Sequence, residues 1–326
     1  MNRGEVFLEK YFKQDKKIFK LVCGAGNECA QDVERLVALY SDAGCEVFDI
    51  SANPEILKAA KQGLKISGKT HNRYICVSVG IKGDPHILKS EIDPKKCQQC
   101  NRCRFICPFD AIKNCSVIYE KCLGCGKCQK ICPANAISLK DTDKDLNLVL
   151  PELINMGIDC IELHATSENE EDIWDKWETI NKKFNGIVSI CIDRLNLGNK
   201  QVLRRIEKML EYRKPFTTII QADGIPMSGC DDEYKTTLQA VAMAEIIQDA
   251  KLPVYIVISG GTNSKTSKLA NLCNLEYKGI AIGSYARKIV KEYIQRDDFY
   301  TNKTIYNTAL EKAKRLIKES IQNDNR

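Results

Sequence analysis

RYICVSVG, residues 73–80, is nearly apolar throughout. A strand buried on both faces of a parallel sheet reads this way, because neither face has to alternate toward water. The same texture returns in IFKLVCG (18–24), EVFDIS (46–51), IDCIELHA (158–165), GIVSICIDR (186–194), FTTIIQADG (216–224), PVYIVISGG (253–261) and YKGIAIGSY (277–285). Helical patterns lie between them. DVERLVALYSDAG stops at Gly44, a good C-terminal signal. SENEEDIWDKW opens with Ser167 and carries Glu170 three residues on, which predicts a capping box. KQVLRRIEKMLEYR and TTLQAVAMAEIIQDAK repeat apolar residues at helical spacing. In NLVLPELINMG, Pro151 should open a helix rather than sit inside one, so a short helix is expected there.

Eight strands alternating with helices predict a (β/α)8 TIM-like barrel, for which about 250 residues is typical. Most strand starts are roughly 25 to 37 residues apart, but the third and fourth are roughly 85 apart. The excess is an insertion after the third strand. The expected organisation is residues 1–88 as the first part of the barrel, 89–141 as the insert, and 142–326 as the remainder of the barrel with a C-terminal helix. The loops that follow barrel strands all emerge on the C-terminal face, where barrel enzymes keep their active sites. The rival architecture is a doubly wound open sheet. CGAGNEC resembles GxGxxG, with Asp49 at the end of strand two, but Cys29 replaces the third glycine.

The insert contains one cysteine run written twice. The first is Cys97-x2-Cys100-x2-Cys103-x3-Cys107-Pro108, and the second is Cys122-x2-Cys125-x2-Cys128-x3-Cys132-Pro133. This is the spacing of bacterial ferredoxins, in which the fourth cysteine of each run reaches the other cluster. It assigns Cys97, Cys100, Cys103 and Cys132 to one [4Fe-4S] cluster, and Cys122, Cys125, Cys128 and Cys107 to a second. A pair of zinc sites explains neither four cysteines per run nor the proline after each fourth one. The CxxxCxxC triad of radical-SAM enzymes does not occur. The remaining nine of the 17 cysteines are scattered, mostly among apolar neighbours, and read as small buried hydrophobes.

Charge follows the same division. Of the net +6, five arise between Glu91 and Lys140, where nine Lys and Arg face four Asp and Glu. Two oxidised clusters with their thiolates would offset about four of these, since a bound ion's own charge must be counted. The basic segment therefore does not call for nucleic acid. The opening MNRGEVFLEKYFKQDKKIFK has no apolar core of a secretory signal. No apolar stretch approaches the ~18 residues of a membrane span. A cytoplasmic protein is expected, and so many free thiols suit a reducing compartment.

The C-terminal ends of the strands supply the candidate ligand site. Gly260, Gly261 and Thr262 follow strand seven, and Gly283 and Ser284 follow strand eight, where barrels often bind phosphate. These five are the candidate cofactor-binding residues, for a flavin or another phosphate-bearing ligand. Glycines there also serve simply as tight turns. His164, Glu162, Asp193, Asp223 and Cys230 are catalytic candidates. Asp49, Asn53, Arg194, Gln221 and Ser228 also fall at strand ends, and Asp and Asn there can equally be caps. Cys29 is a second loop thiol on this face, and His86 in GDPH could donate to a cluster from behind its ligands.

LVCGAG, FDISANPEILKAAKQGL, DPH, the doubled cysteine motif, GIDCIELHA, QADGIPMSG and ISGGTN follow one another in that order. The order and the last two motifs resemble the LdpA-type iron–sulfur proteins, the light-dependent period modulators, over nearly the whole chain. The resemblance implies a cluster-binding, redox-responsive protein, in a family implicated as a redox-sensing input to a circadian clock. It carries Cys97 to Cys132 over as ligands and carries no catalytic residue. The expected function is electron transfer or redox sensing with a low-potential electron donor or acceptor protein. The alternative is an oxidoreductase whose clusters feed electrons to a flavin or phosphate-bearing substrate at the barrel mouth. The first run is polar and glycine-free (Gln98, Gln99, Asn101, Arg102) where the second has Leu123, Gly124, Gly126 and Lys127, so the two potentials should differ.

Overall fold

A computed structural model of the chain describes residues 16–84, 87–224 and 231–321. Eight parallel strands close into a barrel in the order β1 (Ile18–Gly24), β12 (Gly279–Ile282), β11 (Tyr255–Ser259), β10 (Thr218–Asp223), β9 (Ile187–Ile192), β8 (Cys160–His164), β3 (Tyr74–Val79) and β2 (Val47–Ser51). Ile18 pairs with Gly279 on one side of β1, and Lys20 pairs with Val47 on the other. That double pairing closes the ring and excludes the open sheet. Asp49 accordingly points its carboxylate at Lys20 inside the barrel and not at a dinucleotide ribose.

Each barrel strand is buried along almost its whole length because one face meets the helices and the other fills the interior. The outer layer is a continuous apolar core, with Trp177, Tyr40, Phe48 and Phe299 among its largest fully buried side chains. The lower interior is a smaller cluster containing Ile18, Tyr74, Cys76, Ile187 and Val257.

Two local expectations are corrected. The helix Glu170–Lys183 is capped by Asn169, whose side chain accepts the Asp172 N–H at 3.2 Å, while Ser167 accepts the Asn169 N–H at 3.0 Å. Asn169 stands next to the first helical residue, so it displaces Ser167 from the capping role. The helix around Pro151 is not short: it runs from Leu146 to Met156 with the proline inside, capped by Asp145. Pro151 and Asn147 both lie on the solvent face. Water can therefore satisfy the Asn147 carbonyl that Pro151 leaves without its i+4 donor.

Between β3 and β8 the chain departs from the barrel. It leaves along β4 (Leu88–Ile92) and returns antiparallel along β7 (Ile137–Asp141), with Leu88 opposite Asp141 and Ile92 opposite Ile137. The stretch between contains two five-residue helices, Arg102–Ile106 and Lys127–Ile131, and the hairpin β5 (Ile112–Lys113) to β6 (Ser116–Val117). Its own small core contains Ile112, Cys128 and Ile137, with Ile92, Val117 and three further cysteines packed against it.

Replacing Pro151 with alanine restores one helical hydrogen bond at an exposed site. The urea midpoint should rise, by up to about 3 kcal/mol equivalent. An unchanged or lower midpoint in chemical denaturation would show that the helix does not bear this cost.

Candidate functional site

The two cysteine runs adopt one local backbone twice. Each short helix is preceded by a left-handed residue, Asn101 at φ 58° and Gly126 at φ 70°. Each is followed by an extended cysteine, Cys107 at ψ 112° and Cys132 at ψ 110°. The Cys107 sulfur then accepts the Ala111 N–H at 3.4 Å, and the Cys132 sulfur accepts the Ala136 N–H at 3.3 Å. In the second run the Ser90 N–H reaches the Cys122 sulfur at 3.3 Å, and the Ser90 hydroxyl lies 3.1 Å from the Cys128 sulfur. Donors aimed at sulfur stabilise thiolates and suit iron–sulfur ligands. Four thiolates around one zinc would sit about 3.8 Å apart, given Zn–S near 2.3 Å. Among the described residues, the triads of ligand atoms within 4.8 Å of one another are Glu162–His164–Cys191 and Asp49–Cys76–Glu162, and neither includes a thiol of the runs.

This segment is fastened over the start of the barrel. The buried Lys89 ammonium donates to the carbonyls of Gly26 (2.7 Å), after β1, and Cys122 (2.6 Å), in the second run. Lys291 pairs with Asp110 at 2.7 Å and donates to the Pro108 carbonyl at 2.9 Å. As a result Leu123, between Cys122 and Gly124, lines a cavity of about 70 Å³ at the barrel mouth.

The same cavity is lined by Asp49, Glu162, His164, Gln221 and Asp223, and by Gly260, Gly261, Thr262, Gly283 and Ser284. The structure therefore brings together all five candidate cofactor-binding residues and three of the catalytic candidates. Gly260 has φ +71°, and a Cβ there would lie 1.7 Å from the Asp223 carboxylate, so only glycine fits. Asp193 is buried beside the cavity but does not line it, and accepts the Leu195 N–H at 2.9 Å. Burial, then the nearby Asp223 and Asp84, push its carboxyl up to about 6. Asn53 is a helix cap, accepting the Glu55 N–H, and Arg194 turns away to Gln239. Cys29 precedes the helix Ala30–Ala43 and is half-buried, and burial raises its thiol. Cys230, Ser228 and His86 lie outside the described residues.

The cavity floor is an ionic lattice. The Lys20 ammonium is buried and lies 2.6 Å from Glu162, 2.7 Å from Asp49 and 2.8 Å from the Gln221 amide oxygen. Ser189 donates to Glu162 at 2.8 Å, Gln221 donates to it at 2.8 Å, and Ser78 donates to Asp49 at 2.5 Å. Burial alone would raise the Glu162 carboxyl, but Lys20 and His164 hold it well below the usual carboxylate range. Burial likewise opposes the charges on Lys20 and His164, and is outweighed by Asp49 for the first and Asp84 for the second. Sequence reasoning missed Lys20, Asp84, Cys191 and Arg287. Lys20 had a signal: a charge in the middle of a strand buried on both faces must be paired. Arg287 donates to the Val22 carbonyl at 2.8 Å, and its guanidinium lies near Gly24 and Gly283 at the cavity rim.

Comparison with known proteins decides the family. Residues 152–326 match the Light dependent period A C-terminal domain, and residues 86–143 match the LdpA Fe-S cluster-binding domain. The curated protein Light dependent period A of Synechococcus elongatus is 30% identical over 291 residues, covering 85% of this chain and 82% of that protein. The chain belongs to the Light dependent period A family. As an LdpA-family chain with that binding domain it is an iron–sulfur protein. Among solved structures, tryptophan synthase of Mycobacterium tuberculosis aligns over 99% of this chain and 99% of its own at 9% identity and a TM-score of 0.50, a likeness of fold alone. A truncated 3-deoxy-D-arabino-heptulosonate 7-phosphate synthase of Thermotoga maritima aligns over 92% and 85% at 10% identity and a TM-score of 0.46. No helix among the described residues is long and apolar enough to cross a membrane.

Lys20→Met should leave Asp49 and Glu162 buried without their ammonium and destabilise this LdpA-family barrel by about 3–5 kcal/mol. Adding Glu162→Gln should recover part of the loss in a thermal or urea melt. Equal stability of Lys20→Met and the parent would show that the lattice holds nothing together.

Proposed function

We propose that this chain is a redox protein carrying two [4Fe-4S] clusters, one on Cys97, Cys100, Cys103 and Cys132 and one on Cys122, Cys125, Cys128 and Cys107. The unit that carries them is residues 89–141, a ferredoxin-like insert. The observation that carries the reading is the doubled run with its doubled backbone, down to the paired amide-to-sulfur contacts at Cys107 and Cys132. When bound, such clusters exchange single electrons at potentials that hydrogen bonds to sulfur and solvent access adjust. The chain's own residues supply those adjustments unequally. Cys122 and Cys128 are buried and contacted by Ser90, whereas Cys100 is exposed. Arg102, Arg104 and Phe105 are exposed beside Cys103, a cationic rim with an apolar centre that suits an acidic electron donor or acceptor protein.

A second reading has one specific support. Leu123 of the second run lines the same cavity as Gly260, Gly261, Gly283, Ser284 and Arg287. An oxidoreductase would use that proximity to connect a cluster with a flavin or phosphate-bearing substrate. Flavin released on denaturation of anaerobically purified protein would favour this reading.

Anaerobically reconstituted protein should contain about eight irons and eight acid-labile sulfides per chain. The crossed ligation is tested by Cys107→Ser and Cys132→Ser. Each should perturb the cluster held mainly by the other run, seen as selective change in one of two electron paramagnetic resonance signals after dithionite reduction. Retention of about one zinc per run without acid-labile sulfide would overturn the redox reading.

A further inference from the structure

One group of metal-binding side chains plays no part in the two-cluster reading. Glu162 and His164 stand at the end of β8, and Cys191 near the end of the adjacent β9. All three are buried, and one ligand atom from each lies within 4.8 Å of the other two. All three face the cavity at the barrel mouth. We propose that they hold one divalent transition-metal ion, zinc by chemistry, with a coordination position open to the cavity.

The donor set supports this first. One imidazole, one thiolate and one carboxylate are ligands zinc accepts, and three protein ligands with an open fourth position is the pattern of reactive rather than structural zinc. The orientation of each ligand supports it next. The His164 Nδ1 lies 2.8 Å from the Asp84 carboxylate and its Nε2 3.5 Å from Glu162, so Nε2 would bind the metal, releasing to solvent the proton that these two carboxylates hold on the imidazole. A carboxylate behind the imidazole is the usual support of a metal-binding histidine. Glu162 is fixed by Lys20 and Ser189 on one oxygen and by Gln221 on the other, with the Ser78 hydroxyl 3.5 Å from that second oxygen. On the oxygen facing His164, the metal would take the place of the imidazole's Nε2 proton as the partner of Glu162. The Cys191 thiol lies 3.4 Å from Asp223, which can take its proton when the metal binds as thiolate.

The neighbouring triad makes the contrast. Asp49, Cys76 and Glu162 also converge within 4.8 Å, but there the Lys20 ammonium already stands in the cation's place, 2.7 Å from Asp49 and 2.6 Å from Glu162. The Glu162–His164–Cys191 point lies on the cavity side of the same carboxylate. A metal there would face whatever enters beneath Leu123. The proposal does not depend on the clusters: its ligands come from the barrel alone.

The test uses the full chain, purified without air and equilibrated with one equivalent of zinc, then desalted. Zinc-edge X-ray absorption reads the ion's own neighbours and is blind to iron. The expected result is one zinc per chain with one sulfur at about 2.3 Å and nitrogen or oxygen neighbours at about 2.0–2.1 Å. Cys191→Ser should remove the sulfur neighbour, and Asp84→Asn should weaken zinc retention roughly 10- to 100-fold while leaving the sulfur in place. Zinc surrounded by four sulfurs would put it in the cysteine runs and overturn the proposal. So would no retained zinc, or an unchanged sulfur neighbour in Cys191→Ser. The parent protein's spectrum alone decides between these outcomes, so a variant that folds poorly does not rescue the idea.

Discussion

Closure of eight parallel strands is the constraint on which the rest depends. Once β1 pairs with both β2 and β12, every loop that follows a strand must emerge on the same face of the ring. The longest of these connections, between β3 and β8, carries the eight cysteines. Its position over the mouth is therefore set by topology before any side chain is considered. Side chains then fix the distance. Lys89 joins Gly26 to Cys122, Lys144 pairs with Glu28, and Lys291 holds Asp110. The seam between the two parts is ionic and polar, and it brings Leu123 of the second run down to the cavity.

The floor of that cavity is charged where many barrels are filled with branched apolar side chains. Each charge removed from water costs several kcal/mol unless it is paired and hydrogen-bonded. Lys20, Asp49 and Glu162 meet that condition by sharing one ammonium, with Ser78, Ser189 and Gln221 completing the contacts. What the arrangement yields is fixed geometry. Glu162 cannot turn without breaking three contacts, and His164 is held from behind by Asp84. A site assembled this way is pre-organised on rigid strands and not on loops.

All eight strands were legible in the sequence, because burial on both faces leaves an uninterrupted apolar texture. The third-to-fourth gap was legible for the same reason, since the texture stops and the cysteine spacing begins. Caps were less so: Ser167 and Asn169 can both accept backbone N–H groups, and only the chain's path decides which stands next to the helix. Pro151 misled because helix preference treats a missing N–H as a fixed cost, while its place on the solvent face lets water supply the lost partner. The five glycine, serine and threonine positions after the last strands converge as expected, because strand ends in a barrel have little freedom. Asn53 could be read as a ligand or a cap and is a cap, an ambiguity inherent in a short amide. Lys20 was passed over as one charge within an apolar run, and Cys191 as one small buried hydrophobe among many. Their significance arises from partners 142 and 32 residues away in sequence, which no local pattern encodes.

The central claim is that two iron–sulfur cubes sit above the mouth of this barrel, with each fourth cysteine crossing to the other run. Anomalous diffraction at the iron edge, from crystals grown without air, locates them directly. The account predicts two compact four-iron peaks, the second enclosed by Cys107, Cys122, Cys125 and Cys128 next to Leu123. Absence of iron at the runs, or a peak in which Cys107 binds with Cys97, Cys100 and Cys103, would contradict it.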